Sequence, residues 1–293
     1  MAMSCRDRDG REVRTYDAQA GIIRFLYDTA AGCAVTKLLV RPWISKAAGR
    51  LLSCRASALL IRGFVKKNGI RMENYLGAPY RSYNAFFSRR IRPELRPVAG
   101  GSSELIAPCD AKLSVYPIGR DSRFEIKGVE YTLEGLLKSA ALAEKFRGGT
   151  LLLFRLTVDD YHRYCYPADG EAGAETRIPG VLHTVNPHAA EKRAIYRENS
   201  REYSLIRTEY FGTLLMMEVG ALLVGKIVNH HGAGRVHRGE EKGYFQFGGS
   251  SVVLCLEPGR VDIAPDILKN SADGAETVVK MGEITGIARE AER

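Results

Sequence analysis

The sequence predicts an α+β protein in which a mainly antiparallel β domain follows a basic amphipathic helical N-terminal region. Apolar residues recur at helical spacing over residues 17–75. Beyond residue 100, runs rich in β-branched and aromatic residues are separated by Gly, Pro and Asp. Residues 1–100 hold 19 Lys/Arg against 7 Asp/Glu (+12), whereas the remaining residues hold 24 against 27 (−3). We therefore expect a basic helical region with its connector at 1–100 and a β-rich domain at 101–293.

The helical region has two interpretations. Between Ile22 and Val40 the apolar residues follow a helical period, and Pro42 interrupts the run. Over residues 43–67, basic and apolar side chains fall on different sides of a helix. This pattern is typical of a helix in a membrane interface, and equally of a surface helix packed on its own core. The concentrated positive charge indicates a polyanionic partner, either nucleic acid or an anionic membrane surface.

Runs typical of strands follow a boundary near residue 100, which "RPVAGGSS" marks with proline and glycine. One helix is expected from Leu133 to Phe146, and the tail from Glu276 could be a helix or a strand. The expected strand-bearing runs are 104–118, 123–133, 149–158, 200–210, 212–230 and 252–257.

Several classes of protein and site are excluded or disfavoured. The six cysteines are spread along the chain without a C-x-x-C pair, which favours reduced thiols over a disulfide framework or a zinc site. The N-terminus lacks the apolar core of a signal peptide, and no run of eighteen apolar residues occurs. There is no G-x-S-x-G elbow, P-loop or dinucleotide fingerprint, and no spacing typical of metal ligands.

Three places could carry chemistry. Asp110 in "APCDAKL" could be a turn former or the carboxylate that orients a histidine. His162 in "TVDDYHRYCYPADG" follows an apolar strand, where catalytic groups often lie, although a buried structural histidine is also common. The third place is "GGSS" at 248–251, which could be a plain hairpin or a reactive backbone.

The reactive interpretation of this stretch is a self-cleavage. The carbonyl of Gly249 is not shielded by a side chain, so the hydroxyl of Ser250 could attack it when a base removes the proton. The resulting N-to-O acyl shift replaces the peptide bond with an ester. β-Elimination then leaves a dehydroalanine, which hydrolyses to a pyruvoyl group.

Seven segments, in order, resemble one family, the phosphatidylserine decarboxylase proenzymes, which are pyruvoyl-dependent. The resemblance spans roughly residues 75–262, and the last segment is the most specific. The segments are "YNAFFSRRIRPELRPV", "APCDAKL", "DDYHRYCYPADG", "VLHTVNP", "RENSREY", "VGALLVGKI" and "KGYFQFGGSS".

The resemblance implies a mechanism and roles for individual residues. Ser250 would become the pyruvoyl group, and cleavage of the Gly249–Ser250 bond would give chains 1–249 and 250–293. Asp110 would hold the histidine that activates Ser250, and His162 would handle the proton during decarboxylation. The pyruvoyl ketone would form a Schiff base with phosphatidylserine and accept the electrons left by CO₂, giving phosphatidylethanolamine without a separate cofactor or metal.

Ala111 stands where Gly is usual and Ser251 where Thr is more usual, but a third departure from the family pattern bears on the mechanism. Many members have a second histidine three residues after the first, and here that place is Cys165. His183 in "LHTVNP" is a nearby substitute. We therefore expect either His183 or His162 to supply the base for self-cleavage.

The expected partners follow from the same resemblance and from the charge of the N-terminal region. They are the phosphatidylserine substrate, an anionic membrane on the cytoplasmic side of a bacterial cell, the two cleaved chains and a homodimer, with no nucleic acid.

Two alternative functions stay open at this stage. One is a decarboxylase of a soluble amino acid on the same fold, and the other is a non-enzymatic basic module that binds membrane or nucleic acid.

Overall fold

The structure is a computed structural model that describes residues 4–13, 20–222, 226–230, 232–246, 248 and 250–289. Over these ranges it is a mixed α/β protein in which most strand pairs are antiparallel. The predicted α+β class is confirmed in this form. A basic amphipathic N-terminal helix that acts at a membrane is not confirmed by the fold.

Helices occupy most of residues 20–68, as the apolar spacing predicts. The run from Ile22 to Val40 is two helices, because Thr29 leaves the helical conformation and its side chain accepts a hydrogen bond from the Gly32 N–H. Pro42 begins the next helix, at a position where a missing N–H has no cost. The helices are α1 (Ala20–Asp28), α2 (Ala30–Leu39), α3 (Pro42–Ser53), α4 (Leu59–Asn68), α5 (Tyr83–Phe87), α6 (Leu133–Leu137), α7 (Ala140–Lys145), α8 (Pro187–Ala190), α9 (Ile195–Glu198) and α10 (Pro265–Ala272), with 3₁₀ helices at Arg55–Ala58, Met72–Asn74 and Pro93–Leu95.

The expected helix from Leu133 to Phe146 is also two helices. Lys138 has a φ of 54° and ends α6, and the Ser139 side chain then caps α7 by accepting from the Leu142 N–H. The prediction of one continuous helix was wrong at this residue, because a left-handed lysine has no signature in the sequence.

Short strands make up most of the remaining described chain, and the tail from Glu276 is strand rather than helix. The strands are β1 (Cys5–Arg6), β2 (Glu12–Val13), β3 (Tyr75–Leu76), β4 (Arg90–Ile91), β5 (Glu104–Ile106), β6 (Ala111–Pro117), β7 (Arg123–Ile126), β8 (Val129–Thr132), β9 (Thr150–Leu156), β10 (Arg163–Cys165), β11 (Gly170–Ala172), β12 (Thr176–Ile178), β13 (Arg201–Arg207), β14 (Thr213–Val219), β15 (Ile227–Asn229), β16 (Gly234–Val236), β17 (Glu241–Phe245), β18 (Ser250–Leu256), β19 (Val261–Ile263), β20 (Glu276–Val279) and β21 (Ile284–Ala288).

The largest sheet has the order β16-β11-β13-β14-β18-β9-β6-β20-β1-β2, with β12 paired to β13 outside this path. Its pairs are antiparallel except for β1 with β20. Strand β18 is buried along its whole length, which explains its nearly continuous apolar run. Ser250 is therefore the first residue of a central, fully covered strand.

A smaller sheet, β10-β17-β15, lies against this one. The Lys242 side chain on β17 donates to Glu218 Oε1 on β14 at 2.9 Å. Strand β17 ends at Phe245, five residues before Ser250. The small sheet therefore leads the chain directly to the predicted reactive bond.

The N-terminal helices pack on the β domain at α1 and on one another around α5. Ile23, Leu26 and Tyr27 of α1 contact Ala189 of α8. The aromatic residues of α5, among them Phe87, pack with apolar residues of α3 and α4. Strands β1 and β2 extend the large sheet, so part of the first hundred residues belongs structurally to it. The division of the chain at residue 100 stays a prediction.

None of the helices in the described ranges is both long and apolar enough to cross a bilayer.

Candidate active site

Ser250 lies in a closed environment. It pairs with Leu156 on β9, and the next residue, Ser251, pairs with Val219 on β14. The Ser250 side chain is fully buried, and its Oγ has no hydrogen-bond partner among the described residues. Gly248 has a φ of 128°, which only glycine adopts without strain, whereas Gly249 lies outside the described residues. A buried hydroxyl without a partner is costly, and such groups persist at reactive sites.

His162 is the second buried group without a complete set of partners. Its ring packs on Phe87 with 4.2 Å between centroids, and its Nδ1 lies 3.0 Å from the Asp160 carbonyl oxygen. Because a carbonyl only accepts, Nδ1 carries the hydrogen and Nε2 has a free lone pair. Nε2 has no partner in the described part of the chain. Burial lowers the pKa of His162 to about 4, so the imidazole is neutral at pH 7.

Two short segments of the chain connect His162 to Ser250. The Phe245 N–H at the end of β17 donates to the His162 carbonyl oxygen at 2.9 Å, and Ser250 follows five residues later. On the other side, Leu156 pairs with Ser250, and His162 follows Leu156 by six residues. His162 is therefore linked to the Ser250 end of β9 and β18 through two short segments of chain.

Asp110, the third predicted group, is bound to residues other than the two buried groups. Its Oδ1 accepts from Arg96 Nε at 2.7 Å and from the Met281 N–H at 2.9 Å, and Arg96 Nη2 donates to Oδ2. Asp110 therefore fixes the end of the basic connector to the start of β6. Its predicted role of holding a histidine stays a prediction.

Comparison with known proteins identifies the family. A family model described as phosphatidylserine decarboxylase matches residues 83–286. Phosphatidylserine decarboxylase proenzyme 2 of Clostridium acetobutylicum is 40% identical over 289 residues, covering 98% of this chain and 99% of the relative. The phosphatidylserine decarboxylase proenzyme of Chlamydia caviae is 38% identical over 268 residues, covering 89% and 90%. That of Clostridium novyi is 35% identical over 286 residues, covering 94% and 97%.

The chain belongs to the phosphatidylserine decarboxylase family.

This membership confirms the resemblance drawn from the seven sequence segments. The matched range includes Asp110, His162, His183 and Ser250. These relatives are all named decarboxylase proenzymes, which favours neither of the two alternative functions. The family implies a pyruvoyl group, and the buried, unpartnered Ser250 Oγ fits a group that is made from the chain itself.

His183 has partners at both ring nitrogens in this family member. Nδ1 lies 2.9 Å from the Tyr27 hydroxyl, and Nε2 lies 3.4 Å from a Glu198 carboxylate oxygen. Its main chain is bonded to the Asn199 side chain in both directions at 2.8 Å. Burial lowers its pKa. These contacts join α1 to the β domain and leave neither ring nitrogen free.

Cys165 is buried where many members of the family have a second histidine. Its N–H donates to the Pro108 carbonyl at 2.8 Å, and burial raises the pKa of its thiol to about 12. A thiol in this state stays protonated at neutral pH and cannot serve as a base.

Sequence reasoning missed two residues that hold the His162 turn. Lys112 donates to both carboxylate oxygens of Asp160 at 2.7 Å, and Asp160 also accepts from the Thr157 N–H at 2.6 Å. Burial acts to raise the pKa of Asp160, but the Lys112 charge and these hydrogen bonds lower it below its ordinary value. Asp160 stands in the "DDYH" segment and Lys112 two residues after Asp110, but no spacing rule links them.

Arg89 was missed as well. Its guanidinium is buried over the rings of Tyr75 and Phe86, at 4.5 and 4.8 Å from their centroids. One of its nitrogens also lies 3.5 Å from the Asp160 carbonyl oxygen that orients His162. Arg89, the first arginine of the "FFSRR" segment, therefore contacts the same carbonyl oxygen that orients the His162 ring.

Proposed function

We propose that this chain is a phosphatidylserine decarboxylase made as a proenzyme that cuts itself between Gly249 and Ser250. The observation that carries the proposal is the pair of buried, unpartnered atoms, Ser250 Oγ and His162 Nε2, in a chain of this family. The alternatives receive no comparable support.

His162 acts as the base in the proposed self-cleavage. Its neutral Nε2 accepts the Ser250 hydroxyl proton, and Oγ attacks the Gly249 carbonyl carbon. The C–N bond breaks as the nitrogen takes a proton, which leaves an ester to Ser250 Oγ and a free α-amine. Removal of the α-proton of residue 250 then expels the Gly249 carboxylate, and water replaces the nitrogen as ammonia leaves.

His162 is favoured over His183 by the state of the ring nitrogens. Nε2 of His162 is free to accept a proton, whereas Nδ1 of His183 faces the Tyr27 hydroxyl and its Nε2 faces Glu198. If His162→Ala stays uncut while His183→Ala self-cleaves, the assignment holds. The reverse result gives the role to His183.

After cleavage, the same residues act on the substrate. The pyruvoyl ketone supplies the electron sink for loss of CO₂. The buried, neutral Nε2 of His162 can take up and return the proton that replaces the carboxylate. The closed surroundings of Ser250 keep bulk solvent away from this point.

The helices over residues 20–68 support a peripheral position on an anionic membrane. This segment holds nine Lys/Arg against one Asp/Glu. Apolar side chains are exposed on it, including Ile22, Trp43, Leu51 and Leu59, the last at 85% exposure. Basic residues near an anionic surface contribute about 1 kcal/mol each, and the exposed apolar groups gain by entering the interface. We infer binding at the cytoplasmic face, and the homodimer stays a prediction.

Two experiments test the proposal. Purified wild type and Ser250→Ala are compared for ¹⁴CO₂ release from carboxyl-labelled phosphatidylserine and from free amino acids. Release from the lipid alone, by the wild type alone, supports the proposal, and release from a free amino acid alone contradicts it.

The second experiment tests membrane binding. Trp43 is the single tryptophan, so a blue shift of its fluorescence emission with anionic but not zwitterionic vesicles reports docking directly.

A further inference from the structure

A basic groove lies between α3 and the chain that enters β15. It encloses about 430 Å³. The groove carries three cationic side chains, from Lys46, Arg50 and Lys226, and two polar ones, from Ser53 and Gln246. Lys46 and Arg50 are four residues apart on α3 and so share one face of the helix.

The three cations of the basic groove have no direct ion-pair partner among the described residues. Within the described ranges, no carboxylate oxygen lies within 4 Å of the charged nitrogens of Lys46, Arg50 or Lys226. Helix α3 contains no acidic residue. All three side chains are exposed, so solvent weakens their mutual repulsion, and an anion bound among them would relieve what remains.

Two short links connect the groove to the proposed reaction centre. The Gln246 N–H donates to the Lys226 carbonyl at 3.0 Å, and Gln246 precedes Ser250 by four residues, a span of at most about 14 Å. On α5, Asn84 Nδ2 donates to Ser53 Oγ at 2.8 Å, and Phe87 of the same helix packs on the His162 ring. Helix α5 therefore holds one groove wall and the proposed base together.

We propose that the basic groove binds the phosphate group of the lipid substrate, an inference that rests on the proposed decarboxylase function. A phosphodiester is an anion one short linker away from the serine carboxylate that is lost. Trp43 and Leu51 are exposed on the same helix α3, so the acyl chains can stay in the bilayer while the head group enters the groove. Hydrogen bonds from lysine and arginine to phosphate are of the strong, charge-assisted kind.

The test uses the self-processed enzyme with dihexanoyl phosphatidylserine below its micelle concentration, so that membrane binding plays no part. In the variant Lys46→Gln/Arg50→Gln/Lys226→Gln we expect self-cleavage as in the wild type. We expect KM to rise about tenfold or more with little change in kcat, because ground-state and transition-state binding are lost equally. Lys46→Gln alone, at an exposed side chain, should give a smaller rise in the same direction.

A matched control removes equal charge elsewhere on the helices. Arg62→Gln/Lys66→Gln/Lys67→Gln changes three exposed cations on or near the C-terminal half of α4 and should leave KM for the soluble substrate unchanged. Competition by inorganic phosphate and by glycerophosphoserine separates the sources of the phosphate. Inhibition by both indicates a site for any phosphate, and inhibition by the diester alone indicates a head-group site. Either inhibition should weaken in the groove variant.

The two proposals fail in different ways. An active wild type whose groove variant matches the α4 control in KM and in inhibition refutes the basic groove alone. A wild type that releases no CO₂ from any phosphatidylserine refutes the decarboxylase function, and the role of the groove with it.

Discussion

The buried ion pair between Lys112 and Asp160 gives the sharpest prediction for stability. Lys112 is changed to Met in the uncut Ser250→Ala background. Only 7% of the Lys112 side chain and 15% of the Asp160 side chain are exposed. Lys112 Nζ also donates to Thr157 Oγ1 at 2.7 Å. The substitution leaves a buried carboxylate without its cation, and we expect a loss of about 3–5 kcal/mol in the free energy of unfolding.

The assay is urea unfolding, with a double substitution and a surface pair as controls. Lys112→Met/Asp160→Asn removes both charges and should recover part of the loss, giving a coupling energy of about 1 kcal/mol or more. Arg123→Met breaks the exposed pair with Glu130 and should cost at most about 1 kcal/mol. With Ser250 intact, Lys112→Met should also slow self-cleavage, because Asp160 orients His162. A loss below about 1 kcal/mol, or no coupling between the two sites, refutes this reasoning.

Four further predictions concern the two buried histidines and Cys165. Burial lowers the pKa of His162 to about 4, so its neutral form dominates above pH 5. The rate of self-cleavage should therefore be constant from pH 6 to 8 and half-maximal near pH 4. A midpoint near pH 6.5 contradicts this. The unfolded chain binds this proton below pH 6.5, so the same shift should make the fold less stable as pH falls from 6.5 towards 4. Cys165→Ala should self-cleave within about twofold of the wild type, since its thiol stays protonated. His183→Ala should lose about 1–2 kcal/mol with the Tyr27 contact yet still be cut, and an uncut product argues that His183 is the base.

The sequence was informative where local chemistry decides the outcome. Ser250 follows two glycines and precedes an apolar run, and it does begin a strand. The helices of residues 20–68 follow from apolar spacing, and Pro42 correctly marks a boundary. In each case the decisive residues are neighbours in the chain.

Contacts between distant residues could not be predicted. Tyr27 meets His183 across 156 positions, and Lys112 meets Asp160 across 48. Asp110 could be recognised as a candidate, but its pairing with Arg96 depends on how the connector folds back onto β6. Lys138 splits a helix through a left-handed conformation that its residue type does not indicate. These features arise from tertiary packing between distant segments, which cannot be inferred from the residue types of one sequence.

The central claim is most directly tested by intact mass under denaturing conditions, on freshly purified wild type and Ser250→Ala side by side. The wild type should separate into chains of residues 1–249 and 250–293, the shorter with a blocked N-terminus whose mass corresponds to pyruvoyl in place of serine. The Ser250→Ala protein should remain a single chain of about 32.4 kDa. An active wild type that is recovered as one uncut chain contradicts the account.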